Sequence, residues 1–278
     1  MTEAGTTATT ATGETGETEG RIVCRVEAPI GWLIVDNARR RNAVNLAMWQ
    51  AIPDAVRSLD ADDSVRLIVV AGAGEAAFVS GADISEFETV RRDADTARAY
   101  EEANAEAFAA LRGARKPTLA MIRGFCFGGG VGLAVATDMR IASDDALFSI
   151  PAGRLGVGYP PEAIRDVVKL TGPARAKDLF FTARRVGHDE ALAIGLVEGV
   201  FAAAELEAGT RKLAATIAEN APLTLQAAKA AIDAVTAEPG SVDMAEIRAM
   251  TDACFDSADF AEGRAAFLEK RRPLFTGR

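Results

Sequence analysis

The stretch GFCFGGGVGLAVATD, residues 124–138, sets three consecutive glycines, Gly128, Gly129 and Gly130, in front of an apolar segment with a helical pattern. A strand that turns through glycines into a helix leaves backbone N–H groups uncovered at the helix's positive end, where they suit an oxyanion. A second segment, AAFVSGADISEF at 76–87, reads the same way: a short strand, Gly81, then a helix whose first residues are Ala82 and Asp83. Two such donors meeting at one carbonyl oxygen would stabilise an enolate or a tetrahedral centre, each by about 3 kcal/mol. Tight packing at the turn would explain an isolated glycine run, and the second segment weakens that explanation. Nucleotide-binding readings fail on spacing, since the chain has neither GxGxxG directly after a strand nor GxxxxGK followed by Ser or Thr.

Few side chains compete for a catalytic role. Asp83 reads as a helix cap rather than a catalyst. The single histidine, His188, lies in RRVGHDEAL at a helix start, a surface cap position, and nothing places it near the glycines for a Ser-His-Asp triad. Cys126, beside the glycines, reads as a small buried residue. With Cys24 and Cys254 it makes an odd set without CxxC spacing, so neither a disulfide framework nor a metal site is expected, and a reducing cytosol fits. Glu86, Glu102 and Glu106 fall on expected helices near or after the loop, where they either reach the pocket or line a solvated face.

The elements that must position these residues follow from periodicity. RIVCRVE and GWLIVD read as a hairpin around Ala28, Pro29 and Gly31. In NAVNLAMWQAIPDAVRSLD the apolar residues Val44, Met48, Ile52 and Val56 share one helical face, and the strand RLIVVAG follows. Strand TLAMIRG, helix GGVGLAVATD and strand MRIAS repeat the alternation, which predicts an α/β sheet layered with helices. Beyond Pro173 only GLVEGVF signals a strand, and helices dominate to the C-terminus. The reading is a tail over 1–20, a core over 21–205 and a helical subdomain over 206–278.

Composition excludes several functions. A chain of 278 residues, 49% hydrophobic, can bury a large core. Its net charge of -9 argues against a nucleic-acid partner, which needs a basic face. The first twenty residues carry no apolar stretch and no arginine, so neither a secretory signal nor a transit peptide is expected, and they read as a disordered tail. No apolar run approaches the ~20 residues that span a bilayer. A soluble, cytoplasmic protein without a membrane partner is the expectation.

Five segments in order, NARRRNAVN, AFVSGADISEF, GFCFGGGVGLAVATDMRIAS, LGVGY and AAFLEKRRPLF, resemble the crotonase superfamily, the enoyl-CoA hydratase/isomerase fold. The resemblance runs from about Arg21 to the C-terminus. It implies a crotonase-like ββα spiral core with a C-terminal helical subdomain, and an acyl-CoA thioester held by N–H groups of Ala82 and Gly129, next to Gly128. It also implies a coenzyme A groove along Arg41, Asn42, Ala43 and Val44, with the adenine near Ser80, Gly81, Asp83 and Ile84. Phe267 and Lys270 of the last helix are implied to serve a neighbouring subunit's site in a homotrimer or homohexamer. No separate cofactor is implied, coenzyme A being part of the substrate. On this reading the basic clusters Arg39–Arg41 and Lys270–Arg272 neutralise phosphates.

The departures from that pattern bear on the reaction. Hydratases of this family carry two glutamates at positions that align with Gly132 and Ala152. Without a positioned acid and base, hydration loses roughly 10²–10⁴-fold in rate for each group. The acid that isomerases use aligns with Pro160. Glu162, two residues on, is either a proton-transfer group or a first-turn acid that complements the helix dipole. LGVGY resembles the tyrosine-bearing segment of methylmalonyl-CoA decarboxylase, so Tyr159 either serves decarboxylation or packs. The expectations are therefore an isomerase or unusual lyase, a malonyl-type decarboxylase, or a catalytically silent acyl-CoA binder. The pocket wall is expected from 87–112, with Phe87, Val90, Tyr100 and Phe108 giving it a partly apolar character.

Overall fold

The structure, a computed structural model, describes residues 20–86, 94–238 and 240–278. The expected tail up to residue 19 and the wall residues Phe87 and Val90 lie outside the described residues.

Strands β1 (Arg21–Glu27) and β2 (Ile30–Asp36) form the hairpin anticipated from their spacing and pair antiparallel. From β2 the sheet continues in parallel through β3 (Leu67–Gly72), β5 (Thr118–Ile122), β7 (Met139–Ser143) and β10 (Gly199–Phe201). Both faces of this six-stranded sheet are covered, which is why β3 reads as the unbroken apolar run LIVVA. Ile68 and Val70 face one core with Leu33, Ala120 and Ala142, beneath α1 (Leu46–Ala61) and α2 (Ala94–Arg112). Leu67, Val69 and Ala71 face a second core with Trp32 and Leu119, closed by Leu206 and Ala214 of α7 (Leu206–Ala218).

A second sheet of four short strands holds the site. Its order is β4 (Ala77–Val79), β6 (Phe125–Phe127), β8 (Leu147–Ser149) and β9 (Val186–Gly187). This corrects the expectation that TLAMIRG runs straight into the glycine helix: the chain leaves β5, crosses sheets at Arg123 and Gly124, and enters α3 (Gly129–Val135) from FCF. The segment after Gly81 is corrected too. Ala82 forms an isolated parallel bridge with Val44, and a 3-10 turn, Ile84–Glu86, follows Asp83 among the described residues. Pairing with Val44 captures the backbone there before a helix can begin.

After α4 (Ala152–Leu155), helix α5 (Pro161–Thr182) opens on Pro161, whose missing N–H costs nothing at a first turn, and bends where Gly172 precedes Pro173. Helix α6 (His188–Ala193) leads to β10, and α8 (Pro222–Thr236), α9 (Met244–Phe255) and α10 (Ala258–Glu269) complete the chain. No helix among the described residues is long and apolar enough to cross a membrane.

Candidate active site

The glycine run is shaped by its neighbours' backbone. Gly128, at φ 50° and ψ -116°, takes a conformation that L side chains rarely adopt, and its N–H donates to the Ser149 carbonyl at 2.9 Å. Its own carbonyl accepts from the Gly132 amide at 3.2 Å and from the Tyr159 hydroxyl at 3.0 Å. In a trans peptide the N–H points opposite the C=O, so a Gly128 carbonyl turned into the protein leaves the Gly129 N–H facing outward. Among the described residues that amide has no acceptor. A β-carbon on Gly129 would lie 2.9 Å from the Trp49 ring, and one on Gly130 only 2.2 Å from the Val79 carbonyl, so both positions are closed to side chains.

Ala82 is presented by a different device. In its bridge, the Val44 N–H donates to Gly81 O and the Asp83 N–H donates to Val44 O, each at 2.9 Å. A parallel bridge uses the groups flanking its central residue, which turns the N–H of Ala82 itself to the other side. Both Ala82 and Gly129 line one cavity of about 120 Å³.

The positions aligned with the missing carboxylates have distinct surroundings. At Gly132 a β-carbon would meet Phe108 Cζ at 2.4 Å, so the ring already fills that space. Phe108 is itself fixed edge-on against Trp49, at 5.6 Å between centroids. Ala152 and Pro160 line the cavity. Glu162 is exposed in the first turn of α5 and is not among the lining residues. Tyr159 lines the cavity, packs edge-on to Phe180 at 5.1 Å and commits its proton to Gly128. Burial foremost, with the Glu101 carboxylate adding to it, pushes its phenol well above the ordinary value, so it stays neutral.

Helix α2 supplies the wall residue expected at Phe108 and, with it, two residues that sequence reasoning missed, Glu101 and Asn104. Glu101, Asn104 and Phe108 line the cavity, while Glu102 and Glu106, the acids singled out from the sequence, are exposed. The signal was present: Tyr100, Ala103, Ala107 and Leu111 form a buried stripe at helical spacing, and Asn104 falls inside it. Tyr100 does not line the cavity. Its hydroxyl accepts from Trp49 Nε1 at 2.8 Å and donates to Val44 O at 3.1 Å, tying α1 and α2 to the bridge that presents Ala82.

Around the mouth, the residues expected to contact coenzyme A divide by role. Ser80, Gly81 and the exposed Ile84 line the cavity. Asn42 is fully buried, its Nδ2 donating to Ala73 O and Ala77 O and its Oδ1 accepting from Asn37 N, so the side chain is spent holding the loop. Ala43 and Val44 are buried, whereas Arg41 is exposed with its guanidinium 4.8 Å from the Phe125 ring. Asp83 is clamped by Arg40 at 2.7 Å and by the Ser85 hydroxyl and amide. Burial pushes its carboxyl up, but the hydrogen bonds from Ser85 and Arg40 outweigh it and hold it below the usual carboxylate range. Phe267 and Lys270 are exposed on α10 and its cap, and Phe267 borders a separate groove. Cys126 is buried, which pushes its thiol up and leaves it inert, and His188 opens α6 outside the cavity.

Residues 26–278 match the sequence model of the enoyl-CoA hydratase/isomerase family. The chain belongs to that family. It is 34% identical over 260 residues to a crotonyl-CoA hydratase of Syntrophomonas wolfei, covering 91% of this chain and 97% of that protein. It is 32% identical over 257 residues, 87% of this chain and 91% of the relative, to the peroxisomal Delta(3,5)-Delta(2,4)-dienoyl-CoA isomerase of Arabidopsis thaliana. A solved enoyl-CoA hydratase/carnithine racemase from Magnetospirillum magneticum superimposes with a TM-score of 0.87 at 34% identity, covering 92% of this chain and 96% of that one. The crotonase superfamily fold and a hydratase/isomerase type of enzyme are thereby established, and the substrate class of the family is an acyl-CoA thioester. Within this enoyl-CoA hydratase/isomerase family enzyme, the cavity that holds Ala82 and Gly129 has one carboxylate among its described lining residues, that of Glu101.

Proposed function

We propose that this enzyme holds the enolate of an acyl-CoA thioester between the N–H groups of Ala82 and Gly129 and moves a proton on the acyl chain rather than adding water. The observation that carries the reading is that both residues line one cavity while neither amide has an acceptor among the described residues. Donors so fixed stabilise negative charge as it develops on the thioester oxygen. Tyr159, neutral and bonded to the Gly128 carbonyl, holds the peptide whose other end is the Gly129 N–H; it acts as a positioning residue.

Glu101 is the group assigned to proton transfer. One carboxylate suffices to take a proton from one carbon and return it to another, as an isomerisation requires. Hydration instead asks for a second group to orient water, and Gly132 and Ala152 offer none. A silent acyl-CoA binder is the second reading, favoured by Phe108 standing where a catalytic side chain at 132 would go.

No separate cofactor is assigned, coenzyme A entering as part of the substrate. Arg41 and the cluster Lys270 to Arg272 are assigned to its phosphates, with Phe267 and Lys270 acting on a neighbouring subunit's site. Self-association through the C-terminal helices is supported by Phe267 at 84% exposure and Leu268 at 78%, a high cost for a face left in water.

The test is to incubate the protein with crotonyl-CoA, a 3-enoyl-CoA and methylmalonyl-CoA. Mass spectrometry detects gain of water or loss of carbon dioxide, and the absorbance of the conjugated thioester detects isomerisation, which leaves mass unchanged. Conversion of the 3-enoyl-CoA alone is expected, with E101Q lowering its kcat about 100-fold or more at little change in KM. Tight binding without turnover of any of them would favour the silent binder.

A further inference from the structure

Asn104 stands apart from every other polar side chain of the cavity. It is 6% exposed, it lines the cavity, and its side-chain oxygen has no hydrogen-bond partner among the described residues. Its neighbours' protons are already committed. Trp49 Nε1 donates to Tyr100, the Tyr159 hydroxyl to Gly128 O, and the Ser80 hydroxyl to Arg40 O. A buried carboxamide left unsatisfied is costly, and buried polar groups in native proteins are overwhelmingly paired. A polar group that is unpaired in an otherwise largely apolar cavity is matched when that cavity fills.

We propose that Asn104 recognises a hydroxyl or carbonyl oxygen on the acyl chain, so that the pocket selects oxygenated acyl-CoA thioesters over all-carbon ones. The inference rests on the acyl-CoA reading above and adds the class of acyl group. A carboxamide carries both a donor and an acceptor, and rotation about its last torsion exchanges them. It therefore pairs with a hydroxyl in either sense, or with a carbonyl through its NH2. Its place on α2 between Glu101 and Phe108 seats this contact beside the group assigned to proton transfer and the ring that closes the Gly132 side. A site built to hydrogen-bond an oxygen discriminates against the analogue lacking it, because the protein group is then buried unpaired.

The experiment is calorimetric titration of the full chain with butyryl-CoA and with each enantiomer of 3-hydroxybutyryl-CoA, for the wild type and for N104L, whose side chain is close in size. The wild type is expected to bind one hydroxylated enantiomer about 10-fold or more tighter than butyryl-CoA. N104L is expected to lose that preference while keeping butyryl-CoA affinity within about threefold. Where N104L does not fold, N104A carries the same expectation. A merely structural asparagine would move both affinities together and leave their ratio unchanged. Equal wild-type affinities, or a preference that survives in the variant, overturn the assignment of Asn104 alone. Failure of every acyl-CoA to bind overturns the acyl-CoA reading itself, and this assignment with it.

Discussion

A β-carbon at position 132 would sit 2.4 Å from a ring that is itself buried and held edge-on by Trp49, and this decides the sign of the simplest substitution there. Glycine to alanine inside a helix ordinarily stabilises by about 0.5–1 kcal/mol. At Gly132 the overpacking term, about 1–3 kcal/mol, exceeds that gain. G132A is therefore expected to lower stability by about 1–2 kcal/mol, read as a shifted denaturant midpoint with an unchanged slope. Part of this residue-scale picture was legible in the sequence and part was not. The two glycine-bearing turns could be picked out because each is written in consecutive residues, whereas singling out Ala82 and Gly129 within them took the family resemblance. The obstruction at Gly132 could not, because Phe108 lies on another helix and no periodicity relates the two. For the same reason Glu101 was passed over in favour of Glu102 and Glu106: one residue's rotation on α2 separates the cavity face from water.

At the scale of elements, the loop from Ser80 to Glu86 is stapled to the start of α1. Val44 bridges Ala82, the Glu86 carboxylate accepts the Leu46 amide at 2.9 Å, and Asp83 is clamped by Arg40. The folded Asp83 carboxyl titrates below its unfolded value, so its stabilising contribution is present above the unfolded pKa, about 3.9, and is lost as pH falls through the folded value. D83N is expected to cost about 0.5–1 kcal/mol at pH 7, Arg40 being half in water, and to flatten the fall in stability below about pH 4. Denaturant midpoints across an acid pH series check both. The long strands of the main sheet were readable from apolar runs. Strands β6, β8 and β9 were not, since two or three residues carry no alternation and exist as strands only through pairing.

For the whole molecule, the exposed apolar side chains of the last two helices, Phe255, Phe260, Phe267 and Leu268, together with Leu274 beyond them, set the expected behaviour in solution. Sedimentation is expected to report a trimer or a multiple of it, and the paired change F267D with L268D to release smaller species. A monomer at all concentrations would contradict the proposed exchange of Phe267 and Lys270 between subunits. The layered order of the molecule was accessible from alternation of strand and helix signals, whereas the division into two sheets depends on where the chain changes direction, at Arg123 and Gly124. The placement of Trp49 has an optical consequence. Its indole lies against Gly129 and borders the cavity, while the other tryptophan, Trp32, is sealed on the opposite side of the main sheet. The enzyme thus carries a native fluorophore at its candidate active site and a second, insulated one as an internal standard, and the arrival of a molecule inside would be written in the emission of the first.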